Sequence, residues 1–198
     1  MEGNRILSFD LSSELRHGVA VSNMAYLVSK ELGFSEELSY ELAVAGMLHD
    51  IGKLLLKGYI YGREDGPLVI EQMKYVRMHS ALGYEALKAE GKYSAFVLES
   101  ILYHHENYDG SGYPENLSGD AIPIGARVLR VCDVFCALRM QRPYRQAFDK
   151  KTAMELMIEE VKNFDMWVFL AFQRVVHACE DPCVKQSVVD HAGTGISL

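Results

Sequence analysis

Histidine and aspartate side chains recur in this 198-residue chain at positions where helical spacing predicts a buried face. His49 follows Leu42 and Ala45 on the apolar stripe of one predicted helix, and Asp133 lies in a segment that is apolar nearly all round. A buried carboxylate must be paired, because its desolvation is otherwise prohibitive. The side chains that share this arrangement are His17, His49, Asp50, His79, His104, His105 and Asp133.

The spacing of these residues predicts a metal centre. They form five groups separated by 32, 29, 25 and 28 residues, which is about one helix plus its connection each time. Ligands on successive helices of a bundle can converge on one interior point. Five imidazoles and two carboxylates are too many for a tetrahedral zinc site, but they could serve two octahedral ions of the iron or manganese type. The leading hypothesis from the residues is therefore a two-metal hydrolytic centre.

Each residue also has an ordinary structural interpretation. A single core histidine is more often a hydrogen-bonded structural residue than a ligand, and Asp133 could pair with Arg130 one helical turn earlier. The four cysteines form two pairs with three residues between them, which could suggest a zinc site. We reject that site, because Cys132 and Cys136 lie on an apolar helix where free cysteine behaves as a small hydrophobe.

The periodicity that must position these side chains is almost entirely helical, so we predict an all-α single domain. Ser35, Asp149 and Asp165 are the expected N-caps of three helices. Residues 54–66 are predicted to form a loop, and residues 107–123 a second, elaborated loop rich in glycine and proline. The predicted helices cover about residues 12–32, 36–52, 67–90 with a break near Gly83, 93–106, 124–140, 150–163 and 166–179.

Composition limits the function classes. The 20 Lys and Arg against 27 Asp and Glu give a net charge of −7, which argues against a nucleic acid polymer as partner. No apolar run approaches the ~20 residues of a membrane helix, and four cysteines do not make a disulfide framework. We expect a cytoplasmic protein with no membrane partner. Residues 1–11 are predicted as a lead-in, 12–180 as the domain and 181–198 as a flexible tail.

Three longer motifs accompany the candidate ligands. They are His-Asp-Ile-Gly-Lys at 49–53, His-His-Glu at 104–106 leading into Asp-Gly-Ser-Gly-Tyr-Pro at 109–114, and Arg-Pro-Tyr-Arg at 142–145. In this order they resemble the HD-GYP family of bacterial cyclic dinucleotide phosphodiesterases, a branch of the HD phosphohydrolases, over about residues 17–145. A His-Asp pair alone is weak, whereas the three motifs together are specific. The resemblance implies an HD-type helical bundle with an extended GYP loop.

The resemblance also implies roles for the metal-binding residues. Asp50 would be the bridging carboxylate between two divalent ions, with iron or manganese expected. Some members hold a third ion with a glutamate one turn before the first histidine, and Glu14 lies three residues before His17. The implied ligands are His17, His49, Asp50, His79, His104, His105 and Asp133, with Glu14 as the candidate for a third ion.

The implied reaction opens cyclic di-GMP to the linear dinucleotide pGpG, and further to GMP. A metal-bridging hydroxide would attack phosphorus, with Asp50 and Lys53 as catalytic residues and Lys53 offsetting charge on the phosphate. The residue that protonates the leaving oxygen is not identified. The implied substrate-binding residues are Lys53, Tyr113, Arg142 and Arg145, where guanidinium groups suit phosphate and guanine.

Departures from the family pattern leave other functions open. Ala20 stands where relatives carry arginine, and Cys136 takes the place of an acidic residue. One alternative is a catalytically silent sensor or scaffold that docks a diguanylate cyclase or regulatory protein through the GYP loop. A second is hydrolysis of cyclic GMP-AMP. A mononucleotide hydrolase is disfavoured by the GYP and Arg-Pro-Tyr-Arg segments, and a homodimer remains open.

Overall fold

A computed structural model describes residues 11–60, 75–142 and 145–178, with side chains omitted at 57–60. These ranges are helical and carry no strand beyond an isolated bridge between Arg142 and Arg145, so the predicted all-α fold is confirmed. Within them, no helix is both long and apolar enough to cross a membrane. The helices are Leu11–Glu31 (α1), Glu36–Leu48 (α2), Gly52–Ile60 (α3), His79–Glu90 (α4), Ala95–Leu102 (α5), Ile124–Arg139 (α6), Lys150–Glu159 (α7) and Met166–Ala178 (α8).

Side-chain caps define several helix starts. The Ser35 hydroxyl accepts a hydrogen bond from the Leu38 amide at 3.2 Å, which begins α2. Asp149 accepts from the Thr152 amide at 3.0 Å, and Asp165 accepts from the Trp167 amide at 2.8 Å. Each cap satisfies an amide that has no partner inside its helix. The three N-caps predicted from the sequence are therefore confirmed.

Several predicted boundaries are wrong. The loop expected over residues 54–66 begins instead as α3, because the three consecutive leucines from Leu54 favour helix and Leu56 is buried. Residues 61–66 and the helix start expected at Pro67 lie outside the described residues. α4 runs through Gly83 without a break, and α5 ends at Leu102, so His104 and His105 lie in the turn that follows it.

α6 is the central helix of the core. Val128, Leu129, Val131 and Phe135 are fully buried on it, and it packs against α1, α2, α5, α7 and α8. The Phe135 and Phe172 rings meet edge to face with centroids 5.0 Å apart. Any polar side chain on the inner face of this helix is consequently surrounded by protein on several sides.

Close packing of α1 against α2 depends on two glycines. A β-carbon on Gly18 would lie 2.8 Å from the Met47 carbonyl oxygen, and one on Gly46 would lie 3.0 Å from backbone atoms of Ser22. Gly18 adjoins His17, and Gly46 lies three residues before His49. The close approach therefore sets the separation of these two histidines, whose ring centroids are 5.2 Å apart.

We predict that Gly46→Ala destabilises the protein by about 1–3 kcal/mol, because overpacking forces α1 and α2 apart. Alanine favours an exposed helix by up to ~1 kcal/mol over glycine, so a destabilising result has the sign opposite to helix propensity. Chemical denaturation measures the change, with Val44→Ala at an exposed position of α2 as the control. A variant as stable as the parent would show that the helices can separate without cost.

Candidate metal centre

The structure brings all seven predicted metal ligands together in the interior. They form two groups, and within each group the potential ligand atoms lie within 4.8 Å of one another. Glu14 belongs to neither group. One group is Asp50, His79, His104 and His105, and the other is His17, His49 and Asp133.

Five separate segments supply these side chains. His17 lies on α1, and His49 is the C-terminal cap residue of α2. His79 is the first residue of α4, and His104 lies in the turn after α5. Asp133 lies on the central helix α6. The site therefore exists only when all five segments are packed.

Three of the histidines are oriented by the same kind of local hydrogen bond. The Nδ1 atom of each donates to the carbonyl oxygen of the residue three positions earlier, which turns Nε2 towards the cluster. Since a carbonyl can only accept, Nδ1 carries a proton, which leaves Nε2 as the atom available to a metal, as in histidines that bind metals. The pairs are His49 with Gly46 at 2.7 Å, His79 with Val76 at 2.5 Å and His104 with Ile101 at 2.6 Å.

Asp50 lies between the two groups. Its Oδ2 is 3.3 Å from Nε2 of His49, and its Oδ1 is 3.2 Å from Nε2 of His79. Asp133 contacts histidines of one group only: its Oδ1 is 2.8 Å from Nε2 of His17 and 3.7 Å from Nε2 of His49. Asp50 thus has the geometry of a carboxylate shared by two ions.

The unsatisfied atoms of the cluster fit a bound cation. Nε2 of His79 lies 3.3 Å from Nε2 of His104, and both atoms present lone pairs that cannot hydrogen-bond to each other. Nε2 of His49, which faces both carboxylates, is buried without a hydrogen-bond partner in the described part of the chain. Buried polar atoms are normally paired, and shared divalent ions would satisfy these nitrogens.

The charges of the cluster also fit a bound cation. Burial raises the pKa of Asp50, but the charges of His49 and Lys53 lower it more, so the carboxyl is ionised. Burial lowers the pKa of His49, yet the Asp50 and Asp133 carboxylates raise it to about 10. Burial, with His105 next, keeps the pKa of His104 well below its usual range. Two buried carboxylates therefore attract positive charge, while burial keeps His104 and His105 neutral beside them.

Lys53 and Glu14 lie beside this cluster. The Lys53 ammonium is 2.5 Å from Oδ2 of Asp50 and 3.4 Å from Oε2 of Glu14. Burial lowers the pKa of Lys53, but the Asp50 and Glu14 carboxylates raise it more, so the ammonium stays charged. Glu14 consequently pairs with a lysine next to Asp50.

The GYP loop, residues 107–123 around the Asp-Gly-Ser-Gly-Tyr-Pro motif, packs directly on the cluster. The Tyr113 ring stacks on His105 with centroids 4.7 Å apart, and the Arg77 guanidinium lies 5.2 Å from the Tyr113 ring centre. Buried Glu106 accepts a hydrogen bond from the Glu115 amide at 2.7 Å, which anchors the loop. A β-carbon on Gly112 would collide with the backbone of Glu106. The loop is thereby held against the histidines.

The two arginines predicted to bind substrate lie in different settings. Arg142 lines a cavity of about 380 Å³ that also includes Asp133. Arg145 lines the same cavity, but its guanidinium donates to three backbone carbonyls, those of Ala137, Leu138 and Gln146.

The sequence analysis missed three residues of this region as candidates for function. Glu106 anchors the loop, Arg77 covers Tyr113, and Arg130 lines the cavity beside Asp133. The sequence feature that could have indicated Arg130 is its charge on a largely apolar helix, one turn before Asp133. Nothing in the local sequence distinguishes Arg77, because its contact with Tyr113 is made between distant segments.

We predict that Asp50→Ala loses at least one bound ion per chain, because this carboxylate is the one placed between both groups of ligands. Manganese loading followed by elemental analysis measures the ratio of metal to protein. His177→Ala is the control, since His177 is exposed and outside both groups. Equal metal content in both variants would contradict the assignment of Asp50 as a shared ligand.

Comparisons with known proteins agree with this geometry. A family model described as HD domain matches residues 4–168. A cyclic di-GMP phosphodiesterase response regulator, RpfG from Xanthomonas campestris pv. campestris (strain 8004), is 39% identical over 137 residues, 68% of this chain and 35% of that protein. The 3'3'-cGAMP-specific phosphodiesterase 1 of Vibrio cholerae serotype O1 (strain ATCC 39315 / El Tor Inaba N16961) is 35% identical over 156 residues, 78% of this chain and 36% of that protein.

A solved structure shares the fold. Bd1817, an HDG"Y"P protein from Bdellovibrio bacteriovorus, aligns with a TM-score of 0.67 and 18% identity over 86% of this chain and 55% of that one. The chain spans about a third of the length of the curated relatives it matches, 35% and 36% for the two above. From the matched domain and the motifs around its ligands, the chain belongs to the HD domain family, in its HD-GYP branch.

Proposed function

We propose that this chain is a metal-dependent phosphodiesterase that hydrolyses cyclic di-GMP to pGpG and onward to GMP. The observation that carries the proposal is the buried cluster of seven ligands with a GYP loop packed directly on it. The 39% identity to a protein named as a cyclic di-GMP phosphodiesterase supports the choice of substrate. The complete ligand set argues against the silent sensor. A cytoplasmic location is part of the proposal.

The donor set suits two ions of the iron or manganese type. Imidazole and carboxylate ligands are those such ions accept, and seven donors supply more than one coordination sphere. When bound, the ions would supply an activated water and positive charge for the phosphate. We assign Asp50 as the shared ligand, and we assign Glu14 to the ion pair with Lys53 rather than to a third ion. One ion would be held by His17, His49 and Asp133, and the other by His79, His104 and His105.

Lys53 is the protein's own cation at the reacting phosphate. Its ammonium is held charged by two carboxylates and lies 2.5 Å from Asp50, the shared ligand. A fixed positive charge at that place stabilises the negative charge that develops on phosphate oxygens during in-line attack. Because the Asp50 and Glu14 carboxylates raise the pKa of Lys53, its ammonium is a weak acid, and we do not assign it the protonation of the leaving 3′ oxygen.

Tyr113 is the proposed substrate contact of the GYP loop, through its phenol group. Its ring stacks on His105 and the Arg77 guanidinium lies over it, so the ring itself is held by protein. Burial, followed by the charges of Asp133 and Asp50, raises the pKa of Tyr113, so the phenol stays protonated and can donate a hydrogen bond. Arg142, in the adjoining cavity, completes the proposed substrate contacts.

Manganese- or iron-loaded protein, incubated without oxygen, is expected to convert cyclic di-GMP to pGpG or GMP, as separated by chromatography. Asp50→Ala should abolish product, while His177→Ala should retain it. Cyclic GMP-AMP and cyclic di-AMP run in parallel test the choice of base. No turnover of any dinucleotide by folded, metal-loaded protein would overturn the proposal and favour the silent sensor. A clear preference for cyclic GMP-AMP would replace the substrate while keeping the reaction.

We predict that Lys53→Met lowers kcat by about 10²–10³-fold, the usual effect of removing one group that stabilises transition-state charge. Removing a cation beside Asp50 does not weaken metal binding, so metal content should stay the same or rise. The matched control is Lys92→Met, an exposed lysine outside the cluster. Unchanged kcat with full metal content would contradict the role of Lys53.

A further inference from the structure

The cavity beside Asp133 adjoins the candidate metal centre. It has a volume of about 380 Å³ and is lined by α6 and by the segment that follows it. Asp133 belongs both to this lining and to one ligand group, so a substrate at the metals would extend into the cavity. Three arginines also line it: Arg130, Arg142 and Arg145.

Arg145 is occupied by the protein itself. Its Nη1 donates to the carbonyls of Leu138 at 3.1 Å and Gln146 at 3.0 Å, and its Nη2 donates to the carbonyl of Ala137 at 3.0 Å. The guanidinium also lies 4.4 Å from the centre of the Phe148 ring. Arg145 therefore braces the C-terminal end of α6, where cationic donors satisfy carbonyls that lack helical partners.

Arg130 is held differently. Its Nε donates to Oδ1 of Asn107 at 2.9 Å, which ties the plane of the guanidinium to the start of the GYP loop. Among the described residues, its two terminal amino groups have no hydrogen-bond partner. The side chain is half-buried on α6, one turn before Asp133 and facing the same cavity. An oriented guanidinium with two free amino groups is the geometry that binds a phosphate in a fork.

We infer that Arg130 binds a phosphate group of the cyclic dinucleotide within this cavity, while Arg145 only positions the segment that carries Arg142. This inference rests on the proposed function and names one further residue that contacts its substrate. Asn107 orients the guanidinium and thereby couples the loop that carries Tyr113 to the phosphate contact. Arg130 is thus a substrate-binding residue, and Asn107 is a positioning residue.

A purely structural role for Arg130 makes different predictions. If Arg130 served only to anchor the loop, Asn107→Ala would have the same effect as loss of the arginine, because both remove the same hydrogen bond. If it served only as a counter-charge to Asp133, Arg130→Lys would behave as the parent. Phosphate binding by the fork requires the guanidinium itself, so Arg130→Lys should bind more weakly than the parent, and Asn107→Ala should lose less than Arg130→Gln.

The test measures binding and turnover on manganese-loaded protein. Binding uses the phosphorothioate analogue of cyclic di-GMP, followed by calorimetry, and turnover uses cyclic di-GMP with separate determination of KM and kcat. The charge-matched control is Arg174→Gln, because Arg174 is exposed on α8 and pairs with Glu31. Metal content and the unfolding midpoint are measured for every variant.

We expect Arg130→Gln to weaken analogue binding and raise KM by about 10–100-fold, as for loss of charged hydrogen bonds. Arg130→Lys should fall between parent and glutamine variant, Asn107→Ala should change binding by less than ~5-fold, and Arg174→Gln should match the parent. If Arg130→Gln does not fold, the test uses Arg130→Lys instead, and parental binding by that variant overturns the assignment. Parental binding by a folded Arg130→Gln, or equal losses in Arg130→Gln and Asn107→Ala, overturns the assignment. If the parent itself neither binds nor hydrolyses any cyclic dinucleotide, the proposed function fails instead.

Discussion

A set of buried imidazole lone pairs that cannot satisfy one another is the constraint on which this molecule depends. Backbone carbonyls hold the Nδ1 protons of His79 and His104, so their Nε2 atoms meet 3.3 Å apart without a proton between them. Two buried carboxylates add negative charge at the same point. Divalent cations would stabilise such a cluster, and their binding would then contribute to folding.

The packing of the helices serves this cluster. Gly18 and Gly46 let α1 and α2 approach closely enough to bring His17 to His49. At Gly52 any side chain would collide with the carbonyl oxygen of His79, so α3 and α4 also meet at a glycine beside a ligand. Close contacts of this kind tolerate little volume change, because protein interiors are densely packed. Small residues therefore stand where ligand-bearing segments must converge.

The proposed substrate side is built from the residues next to the candidate ligands. His105 carries the stacked Tyr113, and its neighbour Glu106 anchors the loop through the Glu115 amide. Arg130 reaches the same loop through Asn107 from one turn before Asp133. Movement of the loop would consequently shift both the histidine that stacks on Tyr113 and the Arg130 guanidinium proposed to contact phosphate. This coupling follows from adjacency in the chain and needs no longer pathway.

Local sequence was sufficient for the fold class and for the caps at Ser35, Asp149 and Asp165, because periodicity and capping depend on neighbouring residues. It also selected the seven candidate ligands that the structure brings together. It was insufficient at residues 54–60, where helix propensity and the burial of Leu56 overrode an expected loop. Tertiary structure alone decided the roles of the arginines. The Arg145 guanidinium donates to backbone carbonyls, whereas the two terminal amino groups of Arg130 face the cavity. Which donors stay free depends on where distant carbonyls and loops lie.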